Sequence, residues 1–203
     1  MNTTVFLLVL CSAVLHAIWN SMASKYKNKN VSIPAIVYGH VPACIVAVII
    51  LPMPSAESFP YIIMSALIHQ GYQNFLLTAY QTGKFTTVYP VARGFGPLVA
   101  TAISIIFLGL HLKVFTLFSI LLISIGVILI GLFSKSVLKN YKILYTSLAT
   151  GVFIGMYSVV DGYGARISMS AISYMSWVFI ISALLFPIVL KFRKQKNILK
   201  KTL

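Results

Sequence analysis

Seven apolar runs, each long enough to cross the ~30 Å hydrocarbon core of a bilayer, follow one another with only short polar gaps between them. They cover roughly 3–23, 32–53, 59–81, 85–109, 112–133, 143–163 and 169–190. Hydrophobic residues make up 59% of the chain and charged residues 9%, against about 25% charged in a soluble domain. Mean hydropathy is +0.94. These features predict an all-α fold: a polytopic membrane bundle of about seven transmembrane helices, with the lipid bilayer as its first partner.

The net charge of +14 comes from sixteen Lys and Arg against two acids, Glu57 and Asp161. Such an excess can mark nucleic-acid binding. Here the bases sit in the gaps and the tail, which is the pattern of positive loops on the cytoplasmic side, so no nucleic-acid partner is expected. Lys25, Lys27 and Lys29 follow the first run, Lys84 the third, and Lys135, Lys139 and Lys142 the fifth. Lys191, Arg193, Lys194, Lys196, Lys200 and Lys201 fill the tail. The alternate gaps hold only Lys113 and Arg166. This asymmetry predicts a multi-pass protein of the cytoplasmic membrane with its N-terminus outside and its C-terminus inside. The first residues lack the basic region of a signal peptide, so the first run is expected to stay as a helix.

Cys11 and Cys44 both lie within apolar runs and fit small buried hydrophobes. Without a CxxC or Cys/His cluster no metal site is expected, and no cofactor. Enzyme signatures such as GxSxG, HExxH or a phosphate loop are absent, so an enzyme is not expected.

The fourth run carries a single charge, Arg93, within Val88-Tyr-Pro-Val-Ala-Arg-Gly-Phe-Gly-Pro97. At 1.5 Å per residue Arg93 lies about 12 Å into the run, near the midplane, where a guanidinium costs about 3 kcal/mol. Pro90 and Pro97 remove backbone donors and Gly94 and Gly96 permit close approach, so an irregular backbone is expected there. A cation beside irregular backbone is the mark of a solute pathway. The structural alternatives are an arginine capping freed carbonyls, or one reaching for the interface, which is strained at this depth.

Asp161 is the one acid inside a run. Counted from a common face it lies about 15 Å from Arg93 along the helices, so a direct pair requires tilt or a broken helix. The expected partner of Arg93 is therefore an anionic solute, or the carboxylate of a zwitterion. Asp161 is left as a candidate for ion coupling, or as an interfacial side chain beside Gly162 and Gly164.

Two further stripes are polar. His16, Trp19 and Asn20 share a face of the first helix, and His16 is a second candidate for proton coupling. Gln70, Gln73 and Asn74 share a face of the third, with His69 and Tyr72 adjoining. Each stripe fits either a cavity wall or hydrogen bonds between helices. Gly151 and Gly155 form a GxxxG, read as close helix packing.

An internal repeat of low similarity is also visible. Laying 1–40 on 139–178 sets Trp19 on Tyr157, Asn20 on Ser158 and Lys25 on Tyr163. The sixth run would then restart the pattern of the first, in the opposite orientation.

Leu15-His-Ala-Ile-Trp-Asn20, Gly83-Lys-Phe-Thr-Thr-Val-Tyr-Pro-Val-Ala-Arg-Gly-Phe-Gly-Pro-Leu98 and the restart at the sixth run resemble the EamA-like family of the drug/metabolite transporter superfamily. The resemblance implies two inverted five-helix repeats around a central cavity. Residues 1–134 would form the first repeat and 135–203 part of the second. It implies a secondary transporter of a small polar or amphipathic metabolite, and its cavity-lining positions fall on His16, Trp19, Asn20, Gln70, Gln73, Asn74, Tyr89 and Arg93. Three helices of that pattern are missing, so the further expectation is a truncated or non-transporting subunit, or a bundle completed by a second chain or by self-association. Relatives are drawn with both termini inside, whereas the charge count here places the N-terminus outside.

Overall fold

The computed structural model describes residues 3–25, 29–133 and 140–202. Its helices are α1 (Thr3–Lys25), α2 (Lys29–Gly39), α3 (Val41–Ile50), α4 (Phe59–Thr82), α5 (Phe85–Leu108), α6 (Val114–Leu132), α7 (Tyr141–Ile167) and α8 (Ala171–Thr202), with a 3-10 turn at Ala56–Ser58. No strand occurs among the described residues. The helices follow the apolar runs, except that the second run is divided and α8 continues into the basic tail.

Local chemistry explains the breaks. Pro42, in the first turn of α3, offers no N–H to continue the ladder from α2, and a new helix starts after His40. Pro52 and Pro54 keep the next segment non-helical, and Pro60 opens α4 where a missing donor costs nothing. α5 ends on Gly109 at φ 61, the left-handed conformation that only glycine adopts without penalty, and the Leu110 N–H closes back on the Ser104 carbonyl at 3.1 Å.

The irregular backbone expected around Arg93 is not found: α5 runs unbroken through Pro90 and Pro97. Each proline lacks the N–H that would bond the carbonyl four residues earlier, while the other bonds hold the helix. Membrane helices tolerate this because neighbouring helices re-satisfy the freed groups.

α7 is central, packed along both α4 and α5. α6 covers the far side of α5, and α8 lies against α3 and α4. Small residues set the spacing. A methyl group on Gly151 would lie 2.9 Å from the Ala92 carbonyl oxygen, and one on Gly155 would lie 2.8 Å from the Ala100 nitrogen. The GxxxG of α7 is thus the seam against α5.

Burial is inverted relative to a water-soluble protein. Ser65, Thr87, Ser147, Thr150 and Ser173 are fully buried, whereas Val114, Phe115, Phe118, Ile123 and Ile130 of α6 are exposed. Water would not tolerate such a surface; hydrocarbon would. α5, α6, α7 and the Ala171–Lys191 part of α8 are long and apolar enough to cross a membrane, and Pro34–Ile50 is a shorter apolar helix. α4 has the length, 24 residues, but its interior face is polar.

A polar and aromatic column between α4, α5 and α7

Two sets of loops mark the two ends of the bundle. The Ser55 hydroxyl donates to the Ile167 carbonyl at 2.8 Å and the Ser55 N–H to the Ser168 carbonyl at 3.3 Å, which joins the α3–α4 turn to the end of α7. Ala79 and Val88, either side of the α4–α5 turn, pack on Ile143 at the start of α7. Between these ends runs a column of polar and aromatic side chains.

Nearest the Ser55–Ser168 end lies Asp161. It is six residues from the end of α7, about 9 Å of rise, and Ser65 lies equally far into α4. The two meet: the Ser65 hydroxyl lies beside Asp161, which accepts a hydrogen bond from the Tyr174 hydroxyl of α8 at 3.3 Å. Asp161 is 9% exposed, so it is packed against its neighbouring helices. Ser65 also holds His69. The imidazole Nδ1 lies 3.0 Å from the Ser65 carbonyl and 3.2 Å from its Oγ. A carbonyl only accepts, so Nδ1 carries a proton and donates.

One turn deeper, His69 stacks on Tyr157 with ring centroids 4.4 Å apart, and Tyr72 meets Tyr157 edge-on at 5.5 Å. Phe179 of α8 closes the other side of His69 and carries the ring of His40, 4.6 Å away. Arg93 follows. Its guanidinium carbon lies 5.6 Å from the centroid of the Tyr89 ring, one turn earlier on α5. Tyr72 and Tyr80 of α4 and Tyr157 of α7 lie within its electrostatic reach. Tyr89 in turn stacks on Phe85 at 5.0 Å.

The residues singled out in the sequence therefore divide. Arg93 and Tyr89 stand together in the column, and Asp161 joins it through Ser65 and Tyr174. Gln70 and Gln73 turn away from it. The Gln70 amide donates to the Ser182 carbonyl and hydroxyl at 2.8 and 2.9 Å, and the Gln73 amide donates to the same hydroxyl at 3.3 Å. They pin α4 to α8. Asn74 is half-buried on α4, its carbonyl accepting from the Thr78 hydroxyl at 2.9 Å. The side chains of His16, Trp19 and Asn20 lie outside the described residues.

Ser65, Tyr72, Tyr80, Tyr157 and Tyr174 were not singled out as site residues from sequence. A signal exists for three of them: Tyr72 and Tyr80 are two turns apart on one face of α4, and Tyr157 is one turn before Asp161 on α7. Ser65 and Tyr174 look like ordinary membrane-helix residues until the helices are packed.

Outside the column, Phe75, Tyr145, Leu148, Ala149, Val152 and Phe153 line an apolar groove of about 420 Å³ between α4 and α7. Fold and interior together define a multi-pass helical membrane protein whose polar groups converge between three helices. No family model, curated protein or solved structure matches the chain.

Proposed function

We propose that this chain is a secondary transporter of a small metabolite bearing an acidic group, resembling the EamA-like family, with Arg93 as the anchor for that group. The observation that carries the proposal is a half-buried guanidinium between helices, over the Tyr89 ring at 5.6 Å and within electrostatic reach of Tyr72, Tyr80 and Tyr157. A planar, permanently charged fork is the side chain best suited to a carboxylate. The rings around it supply apolar walls and hydroxyl donors for the rest of the solute. The column extends from this point toward both ends of the bundle, as a route requires. The NH2 groups of Gln70 and Gln73 are held by Ser182, which assigns these side chains to the contact between α4 and α8.

The test is thermal stabilisation of the purified protein by panels of amino acids, organic acids and amines. Acid-bearing compounds are expected to stabilise, by about 2.7 kcal/mol at a hundredfold excess over Kd, and Arg93→Ala is expected to remove the effect while the protein still inserts and folds. Stabilisation by amines alone, or an effect that survives in Arg93→Ala, overturns the assignment.

A further inference from the structure

We propose that His69, Ser65 and Asp161 form an intramembrane proton-binding site, placed to serve as the coupling site of the transport cycle proposed above, on which that role rests. Three observations carry it. First, the three side chains join α4 to α7 inside the bundle, with His69 7% and Asp161 9% exposed. Second, the hydrogen bonds have a fixed direction. His69 Nδ1 donates to the Ser65 carbonyl and the Tyr174 hydroxyl donates to Asp161, with the Ser65 hydroxyl next to both His69 and Asp161. Third, the site touches the solute column: His69 stacks on Tyr157, which lies beside Arg93.

The proton step keeps this pattern. A proton from water adds to the Asp161 carboxylate and gives a neutral carboxylic acid, and release returns the same proton to water. His69 keeps its Nδ1 proton on the Ser65 carbonyl throughout and exchanges its second proton at Nε2. The Tyr174 hydroxyl donates to Asp161 from α8. Other groups face the site from each packed element. His40, between α2 and α3, faces His69 across Phe179. Tyr157 of α7 and Tyr72 of α4 flank the imidazole, and Arg93 of α5 lies beyond them.

The composition makes the test unusually clean, because Asp161 and Glu57 are the only acidic side chains. Infrared difference spectra of the purified protein in lipid nanodiscs, with no solute added, are recorded over about pH 4 to 9. A protonated-carboxyl stretch is expected to appear as pH falls. It is expected to be lost in Asp161→Asn and kept in Glu57→Gln, whose carboxylate is exposed on the 3-10 turn. His69→Gln is expected to move the midpoint by at least about tenfold in proton concentration. Ser65→Ala, which keeps both titrating groups, is expected to alter the band frequency by removing a donor to the carboxyl. A band that survives in Asp161→Asn, no band across the range, or a midpoint indifferent to His69→Gln overturns the site. Because no solute is present, failure here leaves the Arg93 reading standing. A titrating band without any stabilising ligand instead rejects the solute reading.

Discussion

Arg93 and Tyr89 are one helical turn apart on α5, so the ring lies beneath the guanidinium as a consequence of helix geometry. The contact needs the ring and not the hydroxyl. Tyr89→Phe should therefore leave stability within about 0.5 kcal/mol of wild type, and Tyr89→Ala should lower it by about 0.5–2 kcal/mol, read from thermal unfolding in detergent. Gln70 offers the opposite kind of prediction. Its amide nitrogen bonds Ser182, while its Oε1 is buried with no hydrogen-bond partner among the described residues. Gln70→Met loses interhelical bonds worth about 0.6 kcal/mol each on average, and removes an acceptor that is costly to bury. The net change in stability should be below about 1 kcal/mol, and stabilisation by an acidic solute should persist. Loss of that stabilisation in Gln70→Met would return Gln70 to the binding surface. Arg93 was legible in the sequence because a lone charge in an apolar run is conspicuous against its neighbours. Ser65 was not, since a serine in a membrane helix is common and its value comes from Asp161 and His69 arriving on either side of it.

At the level of elements, α5 and α7 approach closely enough that glycine is required, and this places Tyr157 and Arg93 in one column. A side chain at Gly151 meets the Ala92 carbonyl and the Phe95 Cβ, 2.9 and 2.8 Å from the first added carbon. Neither can swing aside as the end of a long side chain would. Gly151→Val should thus destabilise by about 1–3 kcal/mol and lower stabilisation by an acidic solute along with it. Gly126→Val on α6, where nothing lies within 4 Å, is the matched control and should change little. The helices themselves were legible from hydropathy and length, and the GxxxG from its spacing. The continuity of α5 was not, because two prolines and two glycines within eight residues, Pro90 to Pro97, suggest a break when the helix is considered alone. α5 continues as one helix where it packs against α6 and α7. The division of α4 into a column-facing side and an Ser182-facing side was also hidden, since periodicity assigns residues to faces but not faces to neighbours.

For the whole molecule, the loops sort into two ends, and the sorting agrees with the charge pattern. The α3–α4 turn meets the end of α7 through Ser55, Ile167 and Ser168. The α4–α5 turn meets the start of α7 through Ala79, Val88 and Ile143. The first end carries Glu57 and Arg166, and the second carries Lys84 and Lys142. Packing alone makes these ends opposite; it does not say which faces the cytoplasm. The charge rule predicts that the Lys84 end faces the cytoplasm, since basic loops resist translocation. In that orientation the proton site would lie nearer the outer end and Arg93 nearer the cytoplasm. Single cysteines at Ala56 and Tyr141, both exposed, report the two ends in a Cys11→Ala, Cys44→Ala background. A membrane-impermeant maleimide should label Ala56→Cys in intact cells and Tyr141→Cys only after permeabilisation. The reverse pattern would invert the order in which solute and proton meet their sites. Labelling of both positions in intact cells would show either that the chain inserts in two orientations, or that the loops do not lie at opposite ends.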